Sequence, residues 1–184
     1  PIVANFFPET RNQKPETIME VFLAEKTVQI GIVLGSASDW PEVAPAVDLL
    51  ERWQVGHEVV VASAHRSPDR AHAYASEAEG RGVQVIIAVA GAAAHLAGVL
   101  ASKTILPVIG VPIASSPLQG LDSLLSTAQM PAGVPVATMA LGAAGARNAA
   151  ILAVQILARQ DPRLRQRLHD YKEELAQGVA QASQ

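Results

Sequence analysis

Glu58-Val59-Val60-Val61-Ala62-Ser63-Ala64-His65-Arg66-Ser67-Pro68-Asp69-Arg70 reads as a strand that hands over to a helix. The run Glu58 to Ala62 is rich in β-branched residues and predicts a buried strand. Ser67 suits a helix N-cap and Pro68 the first helical position. His65 and Arg66 therefore fall in the turn at the carboxyl end of a strand. In open α/β sheets that edge is where ligands bind. Taken alone, the turn reads equally well as a surface turn that happens to hold His and Arg. The balance shifts because the same arrangement recurs along the chain.

Working outward, strands are expected near 28–34, 57–63, 84–90, 107–112 and 134–139. Helices are expected near 40–53, 68–81, 93–102, 119–129 and 143–159. Val43, Val47, Leu50 and Trp53 lie three or four apart, as on one helix face. Strands alternating with helices imply a three-layer α/β sandwich on a parallel five-stranded sheet, with right-handed crossovers. Size and strand number favour the flavodoxin-like strand order. Residues 1–27 stand apart as an arm, with a short helix expected at Ile18 to Ala24. Residues 28–159 form the α/β domain, and 160–184 a C-terminal helix and tail. That helix is expected from Pro162 to about Gln177, with Leu164, Leu168, Tyr171 and Leu175 as its apolar stripe. Arg163, Arg165 and Arg167 precede Glu173 and Glu174, an order that opposes the helix dipole. The helix therefore needs a surface to pack on, from its own subunit or a neighbour.

Composition narrows the function. The 184 residues fit one domain with a full core. Apolar residues make up 49% and aromatics 4%, so the core is built from Ala, Val, Leu and Ile. The formal net charge of -3, without a basic stripe, argues against nucleic acid as a partner. With no cysteine, disulfides, thiolate nucleophiles and cysteine metal sites are excluded. No apolar run reaches the roughly 18 residues of a membrane span, and no secretory signal is visible. The expectation is a cytoplasmic enzyme or binding protein.

The other strand ends carry matching loops. Gly35-Ser36-Ala37-Ser38-Asp39-Trp40-Pro41 follows the first strand, with Ser38 or Asp39 placed to cap the helix. Gly35 and Ser36 let backbone amides approach an anion at a helix start. No dinucleotide fingerprint or Walker loop is present. Ala90-Gly91-Ala92-Ala93-Ala94-His95-Leu96 follows the third strand, Ile113-Ala114-Ser115-Ser116-Pro117 the fourth, and Gly142-Ala143-Ala144-Gly145-Ala146 the fifth. In a parallel sheet these loops share one edge, so Ser36, Asp39, Ser63, His65, Arg66 and His95 can converge. Arg66, hydroxyls and helix amides suit a phosphate. Asp39 can accept from a ribose diol. The His65 imidazole can give and take a proton near neutrality. This predicts proton-transfer chemistry on a sugar phosphate or nucleotide. Metal and Ser-nucleophile motifs are missing. His57, His72 and His169 lie away from the strand ends and read as surface or structural.

The three loops, with Leu106 to Pro112, Leu121 to Ser126, Gln129-Met130-Pro131 and Gly133 to Thr138, resemble the class I N5-carboxyaminoimidazole ribonucleotide mutases of de novo purine synthesis. The resemblance covers about residues 28–159. It implies a flavodoxin-like subunit in a homo-octamer. It also implies an isomerase that moves a carboxylate from the exocyclic nitrogen of an aminoimidazole ribonucleotide to ring carbon 4, without metal, biotin or nucleoside triphosphate. By motif match, His65 is the general acid and base. Ser36, Ser63 and Arg66 contact phosphate or substrate, Asp39 the ribose, and Gly91 and His95 the base and carboxylate pocket. A related branch carboxylates the aminoimidazole ribonucleotide directly with carbon dioxide and typically carries Lys where this chain has Arg66. A non-catalytic nucleotide-binding homologue is the third alternative.

Two positions depart from the pattern. Ala92 stands where the family usually has Gly, and Ala97 where it has Pro. A Gly is needed where φ is positive or a substrate comes close. Ala92 is therefore expected to narrow the pocket or strain the turn, with reduced but present activity, unless the extra methyl is simply absorbed.

Overall fold

The computed structural model describes residues 27–182. The expected helix Ile18 to Ala24, with nearly all of the arm, lies outside them. Five strands, β1 (Ile30–Leu34), β2 (His57–Val61), β3 (Val85–Gly91), β4 (Val108–Ile113) and β5 (Ala137–Thr138), form one parallel sheet in the order β2-β1-β3-β4-β5. This is the flavodoxin-like order, and its switch point falls between β1 and β3. Helices α1 (Trp40–Arg52), α2 (Pro68–Ala78), α3 (Leu96–Ala101), α4 (Leu121–Ala128), α5 (Gly142–Leu157) and α6 (Pro162–Ala182) complete the described chain.

Side-chain alternation along the strands builds two cores. Ile30, Ile32 and Leu34 of β1, with Val85, Ile87 and Val89 of β3, face α1 and α5. There they meet Val43, Val47 and Leu50, and the small-residue face of α5: Ala146, Ala149, Ala150 and Ala153. Val33, Ile86 and Ala88 point the other way, onto Ala71, Tyr74, Ala75 and Ala78 of α2 and Leu96 and Leu100 of α3. A sheet covered on both faces explains why the central strands are continuously apolar rather than alternating. Alanine on the helices lets them lie close to the sheet, in keeping with the scarcity of aromatics.

Several boundaries differ from the sequence expectation. β5 is only Ala137–Thr138, not 134–139, because Pro135 lacks the N–H that a longer ladder needs. α4 starts at Leu121 because Gln119 (φ 51°) and Gly120 (φ 90°) are both left-handed. α3 starts at Leu96 rather than 93, because the chain turns through Ala92 at φ 51°. α2 stops at Ala78, and a 3-10 turn, Glu79–Arg81, carries it to Gly82 at φ 95°.

α6 runs past Gln177 to Ala182. Of the two surfaces considered for it, the described residues supply its own subunit. Leu164 is buried, and Leu168 and Tyr171 pack against the first core. Tyr171 meets Trp53 edge to face at 5.2 Å. The charge order is offset locally. Asp161 accepts from the N–H groups of Arg163 (2.8 Å) and Leu164 (3.4 Å) at the helix start. Hydrogen bonding from the Arg163 side chain is the main cause that holds the Asp161 carboxyl below its ordinary value. Further along, Glu174 pairs with Arg52 at 2.6 Å and Arg167 donates to Gln54 at 2.9 Å.

A polar latch fixes α2 to β2, the elements that flank the His65 turn. Tyr74 donates to Glu58 Oε1 at 2.9 Å, and Arg81 donates to the same oxygen at 2.8 Å. Burial, with the Glu58 carboxylate beside it, holds the Tyr74 phenol well above its ordinary range. Gly31 on β1 leaves the space that the Tyr74 ring and hydroxyl enter, where a Cβ would collide with them. Among the described residues, no helix is long and apolar enough to cross a membrane.

Candidate active site

The loops after β1, β2, β3 and β4 meet at the carboxyl edge and enclose a cleft of about 300 Å³. That volume suits a small ligand. Each candidate, Ser36, Asp39, Ser63, His65, Arg66, Gly91 and His95, lines this one cleft. His57, His72 and His169 do not. His57 is turned to the Val55 carbonyl instead, with Nδ1 at 2.9 Å.

After β1 the chain enters a 3-10 turn, Ala37–Asp39, before α1. Neither Ser38 nor Asp39 caps α1 through its side chain. Ser36 caps the turn, accepting from the Ser38 N–H at 3.3 Å. Asp39 Oδ2 accepts from the Ser36 N–H at 3.2 Å, which closes a capping box one turn earlier than expected. Ser38 Oγ lies 2.7 Å from Ser36 Oγ and donates to it. The Ser36 hydroxyl thus accepts from both, and its own proton is free for a ligand oxygen.

Asp39 is buried, at 6% exposure. Burial raises its carboxyl above the ordinary value, against the opposing bonds from Ser36 and Ser38 and the positive charge of Arg66. Ionising it therefore costs more in the fold than in the unfolded chain. Its contribution to stability is complete below the ordinary value of 3.8 and is lost as pH rises through the raised folded value. Asp39→Asn keeps an acceptor for the Ser36 N–H and removes that ionisation. The variant is expected to melt like the parent in strong acid and above it at neutral pH. Thermal melts across pH check this. A deficit at neutral pH would show that the charge stabilises the fold.

After β2, hydrogen bonds fix the turn. Ser63 Oγ accepts from the Arg66 N–H at 3.2 Å. Ser67 occupies the N-cap position of α2, but its hydroxyl turns back to accept from the Ser63 N–H at 2.9 Å. The exposed Arg66 guanidinium donates to the Gly35 carbonyl at 3.1 Å, which bridges two loops and leaves further N–H donors toward the cleft.

His65 Nε2 and His95 Nδ1 stand 2.8 Å apart, with the rings edge to face. At that distance one ring nitrogen donates and the other accepts. His95 sits at the N-cap of α3, placed there by the left-handed turn at Ala92.

Ala92 does not line the cleft, so the narrowing considered from sequence is not found, whereas the strain is. A left-handed alanine costs about 1–2 kcal/mol. Ala92→Gly is expected to recover about half of that, the rest being offset by glycine's own entropy, and to raise the melting temperature by about 1–4 °C. An unchanged or lower melting temperature would remove strain from the account. Ala97, in the first turn of α3, has no intrahelical acceptor for its N–H, so Ala and Pro fit there alike.

Sequence reasoning missed Ser115, which reaches the cleft from the loop after β4. Its signal was a hydroxyl two residues beyond a strand that ends at the shared edge. Among the described residues, no three His, Cys, Asp or Glu side chains are grouped to hold a metal ion.

Fold and site together define a parallel α/β protein with a cleft lined by two histidines, an arginine and serine hydroxyls at its topological switch point. More narrowly, the AIR carboxylase family profile matches residues 29–178, and the chain belongs to that family. The N5-carboxyaminoimidazole ribonucleotide mutase of Pseudomonas aeruginosa is 54% identical over 143 residues, covering 78% of this chain and 88% of that one. The Bacillus subtilis protein of the same name is 52% identical over 154 residues, covering 84% and 95%. Treponema denticola PurE, a crystal structure, superposes with a TM-score of 0.75 at 24% identity, covering 83% and 94%, which supports the fold.

Proposed function

We propose that this protein is an N5-carboxyaminoimidazole ribonucleotide mutase, with residues 28–159 as its catalytic unit and a cytoplasmic location. The observation that carries the reading is the single cleft that joins His65 to Ser36, Asp39, Ser63 and Arg66. Relatives at 54% identity bear that name. Ser36, Ser63 and Arg66 hold the phosphate, Asp39 the ribose, and Gly91 and His95 border the base and its carboxylate.

His65 acts twice. As the bond between the exocyclic nitrogen and the carboxylate carbon breaks, its electron pair stays on nitrogen, which takes the proton of His65. Carbon dioxide and the free aminoimidazole remain in the cleft. Ring carbon 4 then attacks the carbon dioxide, and His65 removes the proton from that ring carbon. The imidazole ends in its starting state, as a net isomerisation requires.

The test is conversion of synthetic N5-carboxyaminoimidazole ribonucleotide to the ring-carboxylated product, followed by ultraviolet absorbance without bicarbonate, metal or nucleoside triphosphate. Conversion establishes the mutase. Activity only with aminoimidazole ribonucleotide and bicarbonate establishes direct carboxylation instead. Ligand binding without turnover establishes a binding homologue.

A homo-octamer belongs to the same reading. Leu118, Leu121 and Leu125 are 62%, 56% and 48% exposed around α4, more apolar surface than an isolated subunit needs. Light scattering at micromolar concentration is expected to give eight copies of the 19.3-kDa chain. A monomer mass would refute assembly.

A further inference from the structure

We propose that the Ser115 hydroxyl binds the carboxylate of the ligand's base and so distinguishes carboxylated from uncarboxylated ribonucleotide; this rests on the mutase reading. Ser115 lies two residues beyond Ile113, the register partner of Gly91 on β3. A tight turn, closed by the Ser115 N–H on the Ile113 carbonyl at 3.0 Å, folds the chain back toward the cleft. The hydroxyl comes to rest over Gly91. A Cβ at Gly91 would collide with Ser115 Oγ and lie 2.9 Å from Ser115 Cβ. The missing side chain at Gly91 is thus the space that the Ser115 hydroxyl fills.

Its hydrogen bonding separates Ser115 from the other hydroxyls of the cleft. Ser36 and Ser38 are bonded to each other, and Ser63 accepts from Arg66. Ser115 Oγ has no protein partner among the described residues and lines the cleft.

Position decides what it can meet. The phosphate and ribose groups, Ser36, Asp39, Ser63 and Arg66, lie on the loops after β1 and β2. Ser115 lies after β4, on the far side of β3 from them. A ribonucleotide with its phosphate at Arg66 extends its base toward His95 and Ser115. A carboxylate there accepts only, with about four lone-pair sites to satisfy. The two imidazoles spend one donor on each other. A free hydroxyl rotates to donate, and it keeps its partner as the carboxylate shifts between neighbouring atoms.

The experiment measures equilibrium binding of the ring-carboxylated ribonucleotide and of aminoimidazole ribonucleotide to the full chain, Ser115→Ala and Ser115→Thr. Ser115→Ala is expected to weaken the carboxylated ligand about 10-fold, the scale of one hydrogen bond to a charged group, and the uncarboxylated ligand less than about twofold. Ser115→Thr keeps the hydroxyl and is expected to restore most of the difference. Equal weakening of both ligands, or no weakening, overturns the assignment while wild-type turnover leaves the mutase reading intact. If the wild type converts no substrate and binds neither ligand, the mutase reading itself falls, and the assignment with it.

Discussion

His65→Asn is expected to lower kcat by about 10³-fold or more while the protein keeps its fold and its affinity for the nucleotide. General acid–base catalysis by one positioned group contributes about 10²–10⁴-fold. Here the same imidazole is assigned both the delivery of a proton to nitrogen and its removal from carbon. Asn can hydrogen-bond but cannot carry out either transfer. The side chain is exposed at the cleft, and its hydrogen-bond partner is His95 Nδ1 at 2.8 Å, so its replacement removes little packing. The variant should melt within a degree or two of the parent, a shift of well under 1 kcal/mol. The proposed phosphate contacts, Ser36, Ser63 and Arg66, are positioned by hydrogen bonds that do not involve His65, so the variant should bind nucleotide within about threefold, or 0.7 kcal/mol, of the parent. Single-turnover conversion beside product binding separates the two effects. A His65→Asn protein that turns over within tenfold of the parent would remove the proton shuttle from this residue.

Much of the fold was legible because the sheet is covered on both faces. Runs such as Val85 to Ala90 carry no polar residue, so they can only be central strands or buried helices, and their length and β-branching choose strand. The switch point, and with it the functional edge, follows from the strand order. The errors lie where the backbone departs from the conformations that side-chain patterns report. Gln119 and Ala92 adopt positive φ without being glycine, so no local signal marks the late starts of α4 and α3. β5 shrinks to Ala137–Thr138 at an edge of the sheet, where Pro135 and exposure outweigh an apolar pattern.

The site was legible as a set of loop ends but not as a network. Sequence placed His65 and His95 on the same edge, and only the fold sets them 2.8 Å apart. It offered Ser38 and Asp39 as caps of α1. The intervening 3-10 turn gives the cap to Ser36 and turns Asp39 inward, where its carboxyl is buried. A one-turn shift of that kind changes no hydrophobic period, so periodicity cannot report it. Gly91 was assigned to the pocket by resemblance. Its physical reason, the room it leaves for Ser115, depends on a contact between β3 and the loop after β4 that no local pattern encodes.

Arg66→Ala is expected to raise KM about 100-fold and to change kcat far less. Arg66 is exposed at the cleft and spends one guanidinium N–H on the Gly35 carbonyl at 3.1 Å. Its remaining donors match the fork geometry of a phosphate. Hydrogen bonds to charged groups contribute about 1.5–3 kcal/mol each, and loss of a bidentate pair at the low end of that range corresponds to about 100-fold in affinity. The phosphate is remote from the bond that breaks, so the loss falls mainly on binding. Some reaches kcat to the extent that phosphate binding orients the base against His65. Arg66→Lys separates charge from geometry. It keeps the positive charge but loses the planar fork and the tie to Gly35, so its KM should lie between the two, about tenfold above the parent. Salt supplies a control. The parent's KM should rise with ionic strength, and that of Arg66→Ala should rise less, because screening acts on a charge the variant no longer has. If Arg66→Ala kept the parent's KM and salt dependence, the phosphate would have to sit elsewhere along the edge, and the assigned orientation of the ligand, base toward His95 and Ser115, would reverse with it.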